Sequence, residues 1–131
     1  MKVLSIKEPW ASLIKDGKKK IETRSWKTNY RGDLYIHASL AKITKATKSR
    51  KDLMNIVGNI KPQYGQIICK CKLIDCIEMT EFFIKEIKNN NQEYTCGDYS
   101  PGRYAWILDN IKPLDTPIRV KGKLGIWNYD K

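Results

Sequence analysis

Gly17-Lys18-Lys19-Lys20-Ile21-Glu22-Thr23-Arg24 is the stretch on which the reading of this 131-residue chain turns. Its composition is that of an extended, heavily charged segment. It follows Asp16-Gly17, a stop signal for the short amphipathic helix over residues 9–15, in which Trp10, Leu13 and Ile14 share one face. If 18–26 were one regular strand, Glu22 and Arg24 would lie on the same face and Lys19 on the opposite one. All three meet in one cleft only if the chain bends or bulges after Lys19. With that bend, a carboxylate stands between two cations. The cluster is then either an ion-pair network or a polar binding site in which Lys19 supplies a point charge, Arg24 a planar fork and Glu22 an acceptor for an amine or hydroxyl.

Upstream, residues 3–6 form a short apolar run that reads as a buried first strand. Downstream, 29–32 is a turn, and 33–38 is a strand with Leu34, Ile36 and Ala38 on its apolar face and His37 facing away from it. Residues 40–57 read as an amphipathic basic helix with a break near Lys48-Ser49. It carries Lys42, Lys45, Lys48, Arg50 and Lys51 on its polar surface, and Ala41, Ile43, Ala46, Leu53, Met54 and Val57 in rough apolar period. After a Gly- and Pro-containing turn, 66–79 is a strand. Thr80 caps a second helix over 81–89, with Phe82, Phe83, Ile87 and also Ile84 as candidate inward residues. Residues 89–101 read as one long polar loop, of the kind that often carries binding residues. The segments 103–108, 117–120 and 126–127 close the fold. The expected class is α+β: a small mixed barrel of about five to seven strands with two or three peripheral helices, in a single domain spanning residues 1–131.

The formal charge is +11, and it is unevenly placed: residues 1–51 hold 14 Lys/Arg against four Asp/Glu, whereas 52–131 hold 11 against 10. A one-sided positive field favours a polyanion as partner. Cys69, Cys71, Cys76 and Cys96 contain no C-x-x-C pair and His37 is the single histidine, so neither a metal site nor a cofactor is expected. The cysteines read as small buried hydrophobes. No long apolar run or leader-like N-terminus is seen, which suggests a cytoplasmic chain with no membrane partner.

Gly17, Lys19, Glu22 and Arg24 fit the G-x-K-x-x-E-x-R signature of the ASCH domain (activating signal cointegrator homology), and the surrounding order of segments resembles that family too. The resemblance is carried by Leu4-Ser5-Ile6, Pro9-Trp10-Ala11-Ser12-Leu13, Arg24-Ser25-Trp26, Tyr30-Arg31-Gly32-Asp33-Leu34-Tyr35-Ile36, Leu73-Ile74-Asp75-Cys76 and Ile126-Trp127. It implies a PUA-like barrel with a cleft lined by the signature residues, and nucleic-acid association of the kind known for several members. The ligand residues it suggests are Trp10, Lys19, Lys20, Glu22, Arg24, Trp26 and Arg31, with Lys42 and Lys45 from the basic helix and Ser100 and Arg103 from the exit of the long loop. Trp10 or Trp26 would stack a base, while Trp106 and Trp127 read as core.

Two enzymatic alternatives stand beside binding. One branch of the family hydrolyses N4-acetylcytidine with a threonine nucleophile activated by the signature lysine, and this chain has Glu22 at the threonine position. Here Lys19 and Glu22 would be the catalytic pair, with Glu22 as a general base toward water. A ribonuclease would draw on the same cleft together with His37. Binding of RNA or of a modified nucleoside is the leading reading.

Overall fold

The computed structural model describes residues 1–130; Lys131, included in the single-domain reading, lies outside the described residues. The strands are β1 (Lys2–Ile6), β2 (Ile21–Arg24), β3 (Gly32–Ala38), β4 (Gln66–Glu78), β5 (Tyr104–Arg119) and β6 (Ile126–Asn128). They form one mixed sheet in the order β2-β5-β4-β3-β1-β6, curled into a half-barrel. β1 runs parallel to β3, and every other pairing is antiparallel. The curl has a local cause. The long β4–β5 ladder shifts register at three places, and a bulge bends the strand that carries it.

Leu4, Ile6, Leu34, Ile36, Ile68, Cys69, Cys71, Leu73 and Trp106 fill the concave side together with Ala11 and Ile14 of α1 (Trp10–Lys15). Burial pushes the Cys69 and Cys71 thiols up, so both stay protonated and inert in this core. The N-terminus of α1 is held by a buried carboxylate. Glu8 accepts from the Ser12 N–H (2.8 Å) and hydroxyl, and from the Gln63 N–H at 2.7 Å.

The basic segment breaks after Lys48, where a break was expected, into α2 (Lys45–Lys48) and α3 (Lys51–Val57). Several other local expectations are corrected. Residues 40–44 are not helical, and α2 buries no residue. Ala46 is exposed, and only Leu53 and Val57 of this segment are buried. In α4 (Glu81–Ile87), Ile84 and Phe83 pack on Met79 and Ala105, whereas Phe82 is 72% exposed because it lies about 200° round the helix from Ile84. The segments expected as separate closing strands are one 16-residue strand, β5, despite Pro113 and Pro117. Beyond Ile107 that strand has lost its β2 neighbour and is an edge, where a missing N–H is tolerated.

The long loop contains a further helix, α5 (Asn91–Thr95), which makes five helices in all among the described residues. Glu93 fastens it to the sheet. This buried carboxylate accepts from the backbone N–H of Lys20 and of Ile21 at the start of β2. Glu93→Ala is therefore expected to cost about 2 kcal/mol, because it strands two partly buried donors, with the loss read from the urea midpoint.

Candidate functional site

The bend required after Lys19 is present. The Lys18 and Lys19 N–H groups both bond the Leu13 carbonyl at the end of α1, and β2 begins only at Ile21. Lys19 therefore turns to the same side as Glu22 and Arg24. Its ammonium is 1% exposed; it donates to the Cys96 carbonyl at 2.6 Å and lies 3.7 Å from Glu22 Oε1. Arg24 Nε donates to Glu22 Oε2 at 2.9 Å, and Arg24 Nη2 donates to the Ser5 carbonyl at 2.9 Å. The triad is thus both an ion-pair network and the floor of a cavity of about 730 Å³, a volume typical of small-ligand sites.

Around this floor stand Trp10 from α1, Trp26 just past β2, Arg50 between α2 and α3, and the backbone of 96–98 after α5. The remaining walls are the 121–125 segment between β5 and β6 and the ends of β1 and β3, with residues 5–7, His37, Ser39 and Leu40. Trp26 is 37% exposed and meets the buried Trp106 edge-on at 4.7 Å, while the Trp106 indole N–H donates to the Trp26 carbonyl. An aromatic face is in this way braced at the mouth. Seven cations and two carboxylates line the cavity, so its field is strongly positive.

Of the residues singled out from sequence, Trp10, Lys19, Glu22, Arg24, Trp26, His37 and Arg103 line this space. Lys20, Arg31, Lys42, Lys45 and Ser100 do not. Lys20 is exposed beside the β2 start, Arg31 pairs with Asp75 at 3.6 Å, and Lys42 sits over the Tyr64 ring. Thr23 uses its hydroxyl to accept from the Asp98 N–H. Sequence reasoning missed Arg50, which donates to the Thr95 carbonyl, and the whole 121–125 wall. The only signal for that wall was two lysines flanking Gly122 near the C-terminus.

His37 lies on the face of β3 opposite Leu34, Ile36 and Ala38, as the alternation requires, but it is buried there, because Val120, Gly122 and Trp127 cover that face. Its Nε2 lies 2.7 Å from the Val120 carbonyl, which can only accept, so this nitrogen carries the proton. Nδ1 then accepts from the Ser5 hydroxyl at 3.0 Å, and that oxygen accepts from the Trp127 indole. Burial lowers the His37 pKa, against the opposing pull of the Val120 hydrogen bond. The unfolded chain therefore protonates first as pH falls. The stability this neutral imidazole contributes is complete above about pH 6.5 and declines below it. In urea titrations the margin of wild type over His37→Asn is expected to narrow from pH 7.5 to pH 5.

A curled mixed sheet with one wall of helices and a deep cationic cavity at the β2 end defines a small α+β domain of PUA-like build. The chain belongs to the ASCH domain family, whose profile matches residues 4–118. It is 28% identical over 134 residues to activating signal cointegrator 1 of Homo sapiens and, equally, of Mus musculus. That alignment takes in 97% of this chain but 22% of each of those proteins. A crystal structure of an ASCH protein from Zymomonas mobilis shares the fold, with a TM-score of 0.53 and 18% identity over 90% of this chain and 74% of that one. Among the described residues no helix is long and apolar enough to cross a membrane.

Proposed function

We propose that the protein binds RNA through this cavity, taking one base between the Trp26 side of the mouth and the Lys19, Glu22, Arg24 floor. The observation that carries the reading is the floor itself. Glu22 Oε1 has one charged neighbour, at 3.7 Å, and Arg24 directs only Nε and Nη2 to protein acceptors. An acceptor and a donor are left side by side, which suits the edge of a nucleobase. The surrounding cations supply the non-specific affinity, and the lysines of α2 with Lys42 extend them beyond the cavity.

The test is fluorescence anisotropy of labelled single-stranded RNA against salt. Wild type is expected to bind with a steep salt dependence. Arg24→Ala and Glu22→Gln should reduce discrimination among bases while nearly preserving the slope. Lys42→Ala/Lys45→Ala/Lys48→Ala should weaken all sequences alike and flatten the slope by about 2, at roughly 0.7 per phosphate contact. Equal effects from both sets would contradict recognition in the cavity.

The hydrolytic reading keeps one supporting observation: Glu22 Oε1 accepts no hydrogen bond among the described residues, so a water could bond to it. Incubation with N4-acetylcytidine, followed by chromatography, decides it. Product formed by wild type and lost in Glu22→Gln would make the protein an amidohydrolase, and intact substrate leaves it a binding domain.

A further inference from the structure

The cavity is electrically lopsided. On the Asp98 side, Arg103 is neutralised: its Nε lies 3.6 Å from the Asp98 carboxylate and donates to the Asp98 carbonyl, and Nη2 donates to the Thr23 carbonyl. On the facing side, Lys7, Lys121 and Lys123 also line the space, all exposed, and none has an acidic partner within ion-pair distance among the described residues. At the bottom, Lys19 and Arg24 are already engaged, by the Glu22 carboxylate and by the Cys96 and Ser5 carbonyls, in a place where the Glu22 side chain is only 9% exposed. A phosphate driven to the floor would have to compete with the Glu22 carboxylate for these two cations and give up its water in a poorly solvated place. The rim on the Lys121 side instead offers an anion three ammonium groups without a carboxylate partner among the described residues, Lys123 lying over the Trp127 ring.

The backbone that carries Lys121 and Lys123 is held in place from below. Gly122 packs so closely that a Cβ there would come within 2.7 Å of Ser5 Oγ and 2.8 Å of His37 Cε1. Val120 is bonded on both sides, by its carbonyl to His37 Nε2 and by its N–H to the Gly65 carbonyl. Lys121 and Lys123 therefore project from a pinned turn rather than from a free tail. Next to them stands Leu124, 98% exposed although it borders the cavity, an apolar contact left open at the mouth.

We infer that Lys7, Lys121 and Lys123 form a phosphate subsite that fixes the direction of the bound nucleotide, base toward Glu22 and phosphate at the 121–125 rim. This rests on the reading of the cavity as a nucleobase site and adds the ligand class: a nucleotide carrying its phosphate, in preference to a free nucleoside. Residues 39–40 border the same space, and Leu40 abuts Gly65, whose carbonyl holds Val120. The strand thus leaves over the side that continues into Lys42 and α2, away from Asp98.

Two measurements on the folded full chain test this. Cytidine and cytidine 5′- and 3′-monophosphates are titrated by NMR, and single-stranded RNA by anisotropy, into wild type, Lys121→Ala/Lys123→Ala and a charge-matched control, Lys85→Ala/Lys112→Ala, on exposed sites elsewhere. Wild type is expected to prefer one monophosphate over cytidine about tenfold, with the preference absent in Lys121→Ala/Lys123→Ala and kept in the control. For RNA, the same double substitution should lower the slope of log affinity against log salt by about 1.4, from two lost phosphate contacts. RNA binding with a slope equal to that of the control, or cytidine bound as tightly as both monophosphates, overturns the subsite and leaves the cavity reading standing. An absence of RNA binding by wild type overturns both.

Discussion

Glu22→Ala is expected to destabilise the fold by about 3 kcal/mol, more than any other single change at the floor. The reason is Lys19. Its ammonium is almost fully buried, its remaining partner would be the Cys96 carbonyl, and a buried charge deprived of its counter-ion typically costs 3–5 kcal/mol. The lower end is appropriate because the Arg24 side chain is 24% exposed and water can approach from that direction. Glu22→Gln removes the same counter-charge and should cost less only by the hydrogen bond that its carbonyl oxygen can still accept from Arg24 Nε. Urea denaturation of the two variants at pH 7 measures the difference. A loss under 1 kcal/mol for Glu22→Ala would mean that Lys19 is solvated and that the floor is an exposed ion-pair cluster.

Gly122→Val should be the second large effect, and it should act on two properties together. The branched side chain has no room against Ser5 Oγ and the His37 ring, both part of the bonded row Trp127–Ser5–His37–Val120. Either that row opens or the 121–125 wall lifts away. Overpacking of this kind costs about 2 kcal/mol, and RNA affinity should fall with it because Lys121 and Lys123 lose their fixed positions. Leu124→Ser, at an exposed position on the same wall, should leave the urea midpoint unchanged. If Gly122→Val kept both stability and affinity, the wall would have to be free to move without consequence.

Much of this was legible in the chain because the decisive signals are local. The stop at Asp16-Gly17, the apolar alternation of 33–38 and the spacing of Lys19, Glu22 and Arg24 each declare themselves within a few residues. What remained hidden depends on partners far away in sequence. α5 looked like loop because its five residues are polar, and what holds Glu93 in place is the backbone of residues 20 and 21. The burial of His37 was hidden because what covers it, residues 120–122 and Trp127, comes from the far end of the chain. β5 looked like two strands because its prolines are harmless only on an edge, and edges are a property of the sheet. The 121–125 wall is made by a close approach of Gly122 to residues more than 80 positions earlier.

The central claim is that RNA enters the cavity rather than lying across the basic outer surface. Labelled protein titrated with a short single-stranded RNA, with the four tryptophan indole N–H signals followed by NMR, tests it most directly. Insertion of a base predicts large shifts of the Trp10 and Trp26 indoles, saturating together with the amides of residues 121–125. Shifts confined to residues 42–51, with Trp10 and Trp26 unmoved, would contradict it.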